Sequence, residues 1–227
     1  KLDARMRYIS EFSADVAHEL KSPLTSIRGA AELLREGAAD DPDARGRFLA
    51  NIELDVERLD RLVMRLLELS RIDSSVEPME DLELGALVER VVERTDTPEK
   101  PVKVFWHTPL RRWVGREEDL ERAILNLVEN GLRFSPEGVP VEIHVRQVPE
   151  ASLAIAIRDH GPGVPEANRA KIFERFFTTD ADRSGTGLGL AIVKSVAAAH
   201  DGSIVLECPD DGGSVFRLTL GKVSVSR

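Results

Sequence analysis

The feature that most constrains this chain is a run of apolar residues at steps of three and four: Ile9, Phe12, Val16, Leu20, Leu24, Ile27, Ala31 and Leu34. That period predicts one amphipathic helix from Lys1 to about Leu34. Gly37-Ala38-Ala39-Asp40-Asp41-Pro42 breaks it, with Asp41 placed to cap a second helix and Pro42 at that helix's first position. Phe48, Ile52, Val56, Leu59, Val63, Leu66 and Leu69 then repeat the pattern. So short a connection folds the two helices back antiparallel. Two helices enclose little core, which predicts a four-helix bundle made by dimerisation. The alternative is that the pair lies on the second half of the same chain.

Beyond Ile72 the pattern changes to short β-like runs and glycine-rich loops. Strands are expected at Val102–His107, Val141–Val148, Ser152–Ile157, Ser203–Glu207 and Ser214–Leu220, and helices around Glu83–Thr95, Arg116–Phe134, Glu166–Phe173 and Leu188–His200. Asp73-Ser74-Ser75-Val76-Glu77-Pro78 reads as a linker. The expected organisation is therefore multi-domain, an all-α hairpin over residues 1–75 and an α+β domain over 76–227. A formal charge of −9 disfavours nonspecific binding to nucleic-acid phosphate. The single cysteine, Cys208, excludes an internal disulfide and favours a reducing compartment. Apolar stretches such as Leu153–Ile157 fall far short of the roughly 20 residues of a membrane helix. The first residue is Lys1 and no charged-then-apolar leader follows, which suggests an excised portion of a longer protein.

On the first helix, His18 lies two residues from both Val16 and Leu20 and so points away from the apolar stripe. An exposed imidazole offers a ring nitrogen as a nucleophile near neutral pH. Glu19 beside it can hold the other ring proton. Pro23, five residues on, lacks an amide hydrogen and clashes with the Glu19 carbonyl, so the helix is expected to bend or loosen one turn beyond the histidine. The run His18-Glu19-Leu20-Lys21-Ser22-Pro23-Leu24, preceded by Phe12-Ser13-Ala14-Asp15-Val16-Ala17, resembles the H box of bacterial two-component sensor histidine kinases. The resemblance implies that His18 accepts the γ-phosphoryl group of ATP, that Glu19 polarises it as general base, and that the hairpin is the dimerisation and phosphotransfer domain. Ser22 stands where this class usually has Thr or Asn, the position linked to dephosphorylation of the partner.

The second half carries four further motifs in the order that family has them. Asn126-Leu127-Val128-Glu129-Asn130-Gly131-Leu132-Arg133-Phe134-Ser135 resembles the N box. On a helix Asn126, Asn130 and Arg133 share one face, and amide oxygens suit Mg²⁺ while the guanidinium suits phosphate. Phe134 stands where an aromatic packs near the nucleotide. Asp159-His160-Gly161-Pro162-Gly163-Val164-Pro165 follows an apolar strand and resembles the G1 box. Its Asp159 can accept a hydrogen bond from the adenine amine, and Gly161 and Gly163 permit close backbone approach. Lys171-Ile172-Phe173-Glu174-Arg175-Phe176-Phe177 resembles the F box, and Ser184-Gly185-Thr186-Gly187-Leu188-Gly189-Leu190 the G2 box. Thr186, Gly187, Leu188 and Gly189 lead into a helix whose amide end suits phosphate. The sequence lacks the Lys-Ser/Thr of a P-loop and a Rossmann-like strand just before these glycines. Thr178–Ser184 reads as a flexible lid.

Together the motifs imply the Bergerat-type α/β sandwich, ATP and Mg²⁺ as nucleotide and metal, a homodimer, a response-regulator receiver domain as partner, and the cytoplasmic end of a membrane receptor whose span lies upstream of Lys1. A rival reading is a hydrolase of the same fold. Those enzymes carry a glutamate where this chain has Asn126, and an amide cannot take a proton from water. A second rival is a nucleotide-binding scaffold without activity, against which intact His18, Asn130 and Asp159 speak. His107, His144 and His200 show no metal-ligand spacing and read as structural or solvent-facing. His160 lies within the G1 loop, Trp106 and Trp113 read as packing residues, and Cys208 as a buried thiol at a strand end.

Overall fold

The computed structural model describes residues 2–74, 77–149, 152–178 and 185–221, without the side chains of residues 2–11. The expected lid beyond Thr178, Ser75 and Val76 of the expected linker, and the Ile9 side chain lie outside the described residues. The chain divides into two compact units. One is formed by the helical residues up to Leu67, and the other holds Glu68–Phe177 and the stretch from Gly187 onward.

The helical unit consists of α1 (Leu2–Arg35), a single 3-10 turn at Ala38–Asp40, and most of α2 (Pro42–Ser74). Asp41 caps α2 as its sequence predicts: Oδ1 accepts the amides of Asp43 at 2.9 Å and Ala44 at 3.3 Å. Glu19 of α1 and Arg58 of α2 form an ion pair at 3.6 Å. Each stands sixteen residues from the end of its helix at the connection, Arg35 or Pro42, as antiparallel packing requires. Helix α1 runs through Pro23 without a break in its assignment. Pro23 is buried and Leu24 is 53% exposed, so the ring packs inward beside the stripe and Leu24 stands on its outer edge. Leu49, Val56 and Val63, seven residues apart along α2, are each more than 40% exposed. They form a second apolar line that the unit does not cover.

The other unit is a two-layer α/β sandwich. Its sheet contains β2 (Val102–Trp106), β4 (Val141–Val148), β5 (Ser152–Asp159), β6 (Ser203–Glu207) and β7 (Ser214–Leu220), in the order β2-β4-β5-β7-β6. The β2–β4 pair is parallel and the other neighbours are antiparallel. A separate antiparallel ribbon joins β1 (Glu80–Glu83) and β3 (Arg112–Gly115), which periodicity did not predict. Its residues are short and charged, and Arg112 binds Asp81 and Glu83 across it. The helices are α3 (Leu84–Thr95), α4 (Glu117–Phe134), the single turn α5 (Glu166–Arg169) and α6 (Gly189–Ala199). The helix expected over Glu166–Phe173 thus stops after Arg169 and continues as turns. Leu87 and Val91 of α3, Leu120, Ile124 and Leu127 of α4, and Ile192 and Val196 of α6 are buried with Val141, Ile143, Val145, Ile155 and Ile157 of the sheet.

At the foot of α4, His200 is fully buried and its ring fixes two elements. Nδ1 donates to the Val196 carbonyl at 2.8 Å, and Nε2 accepts the Arg116 amide at 3.0 Å. Burial holds its pKa below the ordinary histidine value. Beside it Arg116 Nε lies 2.9 Å from Asp119 Oδ2, an ion pair whose angle falls short of a hydrogen bond. Burial raises the Asp119 pKa against the opposing pull of Arg116. The last turns of α2 also belong to this unit. Leu69 and Ile72 are buried there, and Glu68 pairs with Arg122, Arg71 with Glu118 and Asp73 with Arg175. No helix among the described residues is long and apolar enough to cross a membrane.

Candidate nucleotide and phosphotransfer sites

In the helical unit His18 is exposed, on the side of α1 turned from the buried Pro23 and Ala30. Glu19 is half-buried because its carboxylate turns toward Arg58. Ser22 is exposed one turn beyond His18. The Thr25 hydroxyl, two residues after the proline, donates back to the Lys21 carbonyl one turn earlier at 2.8 Å.

In the α/β unit the separate motifs converge through close backbone approach. Asp159 ends β5 and is 3% exposed. Its Oδ1 accepts the amides of Gly161 at 2.9 Å and Ser214 at 3.1 Å. One carboxylate oxygen is thereby held by two fixed donors, which leaves Oδ2 as an oriented acceptor. A Cβ on Gly131 of α4 would stand 3.6 Å from the Asp159 Cβ, and one on Gly161 would strike the Phe134 carbonyl at 2.7 Å. The G1 loop is thus seated directly on the N-box helix. The His160 amide reinforces this, donating to Ser135 Oγ at 3.2 Å. Gly163, with φ near +76°, brings the loop against the residue before β7: a Cβ there would stand 3.1 Å from the Gly213 carbonyl oxygen.

The side chains on α4 divide by depth. Asn126 is buried, its amide nitrogen donating to the Arg122 carbonyl at 2.9 Å, and its Oδ1 faces Gly189 at the start of α6. Asn130 is half-buried and Arg133 exposed, so the polarity of the face increases toward the C-terminal end of the helix. Phe134 is 39% exposed and carries the Arg133 guanidinium over its ring at 5.7 Å. The F and G2 boxes meet at one point. Gly187 has φ near +67°, and a Cβ there would fall 2.4 Å from the Phe176 carbonyl carbon. Phe176 itself adopts φ near +61°, a costly conformation for a phenylalanine, held by this contact. Leu188 is fully buried, Thr186 and Gly189 half-buried. Phe173 packs edge-on against Phe216 of β7 at 6.3 Å.

The motif reading therefore places Asn126, Asn130, Asp159, Gly161, Gly163, Gly187 and Gly189 in one unit, around α4 and the starts of the G1 loop and α6. It gave no role to Ser135, the last residue of the N-box run, and did not single out Ser214, which both support that loop. Their signal is position, one closing the N box and one following Gly212-Gly213 at the start of a strand.

Residues 8–75 match the family described as the His Kinase A phospho-acceptor domain, and residues 115–224 that described as histidine kinase-, DNA gyrase B- and HSP90-like ATPase. The chain is 36% identical over 231 residues to the sensor histidine kinase WalK of Bacillus subtilis, covering 97% of this chain and 37% of that protein. It thus spans little more than a third of that relative's length. Among solved structures, full-length ShkA in complex with AMPPNP is 26% identical with a TM-score of 0.66, over 96% of this chain and 47% of that one. The histidine kinase ThkA, crystallised with the response regulator TrrA, shares the fold at a TM-score of 0.75 and 24% identity, over 100% of this chain and 66% of that one. The chain belongs to the two-component sensor histidine kinase family, of which it carries the phospho-acceptor and ATP-binding regions.

Proposed function

We propose that the α/β unit binds ATP with adenine on Asp159, that the γ-phosphoryl group passes to His18, and that the phosphohistidine donates it to an aspartate of a response-regulator receiver domain. The observation that carries this reading is the Asp159 carboxylate, buried and pinned through one oxygen by two amides in the same chain as an exposed H-box histidine. ThkA was crystallised with its response regulator and ShkA with an ATP analogue, which supports the same partner and nucleotide here.

In the transfer a bond forms between a His18 ring nitrogen and the γ-phosphorus as the bond to the ADP oxygen breaks, and ADP leaves. Such a reaction asks for positioning and charge neutralisation more than covalent help. Glu19 serves as the acceptor for the second ring proton, and Arg58 fixes its carboxylate from the neighbouring helix. Arg133 and the amides opening α6 face phosphate. The Asn130 amide oxygen, with Asn126 one turn before it, would hold Mg²⁺, a hard cation that would supply neutralisation of phosphate charge. Asn126 speaks against a hydrolase, since its amide nitrogen already donates within α4 and the group takes no proton from water. Ser22 retains a hydroxyl where phosphatase activity toward the partner would be set.

The uncovered line of Leu49, Val56 and Val63 supports a homodimer closed into a four-helix bundle, and the phospho-acceptor match over residues 8–75 supports a domain boundary near residue 75, although the last turns of α2 pack with the sandwich. Val56→Asp is expected to halve the mass measured by light scattering. The chain's similarity to sensor histidine kinases, of which it spans only part, supports a role as the cytoplasmic portion of a sensor protein. With γ-labelled ATP and Mg²⁺ the chain should acquire a label that is labile in acid and stable in base, and His18→Gln should abolish it. Label that survives this substitution rejects the assignment of His18.

A further inference from the structure

The sheet carries a line of hydrogen-bonded side chains that the proposed reaction does not use. It lies on the face opposite Val141, Ile143 and Val145, where Glu142 and His144 of β4 are half-buried. The parallel register sets Phe105 of β2 beside His144, and the His107 amide extends the ladder by donating to the Val145 carbonyl at 2.8 Å. His107 Nε2 lies 3.0 Å from His144 Nδ1, and His144 Nε2 lies 3.0 Å from Glu142 Oε2.

An ionised carboxylate only accepts, so the proton of a neutral His144 sits on Nε2 and its Nδ1 presents a bare lone pair. His107 Nε2 then supplies the proton of the histidine–histidine bond. The two ring planes lie within 10° of each other with centroids 5.3 Å apart, the separation of imidazoles joined nitrogen to nitrogen in one plane. Phe105 stacks on His144 at 4.9 Å and fixes that plane. A carboxylate that fixes the tautomer of an imidazole and aims its other nitrogen outward is the usual surrounding of a metal-bound histidine.

We propose that His107 Nε2 and His144 Nδ1 bind a borderline-soft divalent cation, copper(II) more tightly than zinc(II), with Glu142 as the positioning carboxylate. His107 is exposed at the end of its strand, so its ring can swing to admit the ion as its proton moves to Nδ1. Among the described residues no group of three or more His, Cys, Asp or Glu is set to hold a metal, so water completes the coordination. The site stands beside the G1 loop, because Glu142 Oε1 is 3.9 Å from His160 Nε2. It does not depend on the phosphotransfer reading.

The test titrates copper(II) and zinc(II) against a competing chelator at neutral pH, using the full chain with His18→Ala to remove another exposed imidazole. One ion per chain is expected, with a copper electron-spin spectrum showing two imidazole nitrogens. His107→Gln and His144→Gln should each weaken binding about tenfold or more and remove one nitrogen from the spectrum, and Glu142→Gln should weaken it by roughly tenfold. Circular dichroism establishes that these surface variants fold. Binding that is absent in the parent, or affinity and spectrum unchanged in both histidine variants, overturns the site.

Discussion

The two units place their apolar residues in opposite ways. Along the hairpin Leu54, Met64 and Leu67 are each more than 60% exposed, whereas Leu87, Ile124, Leu127 and Ile155 of the sandwich show no exposed surface at all. The sandwich closes its own core and then uses that rigidity to hold Asp159, Gly161 and Gly187 at distances where only main chain fits. The hairpin leaves a face for a partner and presents His18 to water. A binding pocket for a specific nucleotide needs fixed donors, and the proposed role of His18 as a phosphoryl acceptor that meets both ATP and a receiver domain needs access.

Substitutions that fall on the two sides of this contrast should differ most in the core. Leu127→Ala is expected to cost the sandwich about 2–5 kcal/mol in urea unfolding. Leu67→Ala, at 62% exposure, should change unfolding of the isolated monomer by no more than about 0.5 kcal/mol. Equal losses at the two positions would break the comparison. Glycine replacements sharpen it next. Gly187→Ala combines a positive φ with a main-chain clash against Phe176 and should cost roughly 1–3 kcal/mol and abolish nucleotide binding. Gly37→Ala also meets a positive φ, but has nothing within 4 Å, and should leave nucleotide binding unchanged. Binding measured by calorimetry decides between them. In the hairpin, Asp41→Ala removes the cap of α2 and should cost about 1 kcal/mol, read from thermal unfolding.

Acid should act on the sandwich through His200. Burial lowers its folded-state pKa from an ordinary 6.5, so as pH falls the unfolded chain takes the proton first. This group's contribution is therefore constant above about pH 6.5 and destabilises the sandwich progressively below it, with a slope of at most about 1.4 kcal/mol per pH unit. Urea midpoints between pH 7.5 and 5.5 check the sign, and a stability that rises over that fall in pH would contradict it.

Much of this was legible in the chain because apolar periodicity reports which face is buried. Both long helices and the five strands of the main sheet follow from it, and the cap at Asp41 from residue type where the period breaks. The ribbon of β1 and β3 escaped because Glu80-Asp81-Leu82-Glu83 has one buried residue, and its pairing rests on Arg112. Leu24, expected in the stripe, is exposed beside a buried Pro23, because a proline without an amide can turn its ring inward at no cost in hydrogen bonds beyond the one already lost. The site motifs were readable as residue types, but their convergence depends on Gly131 and Gly161 admitting neighbouring main chain. The contact of His107 with His144 depends on the parallel register of β2 and β4, which no local pattern encodes.

In the proposed function, holding ATP and accepting phosphate are separate tasks of separate units. ATP affinity by calorimetry and phosphoryl label, measured together on His18→Gln and Asp159→Asn, test it most directly. His18→Gln is expected to bind ATP as the parent does and take no label, while Asp159→Asn should lose both. Loss of ATP binding in His18→Gln, or full binding in Asp159→Asn, would contradict it.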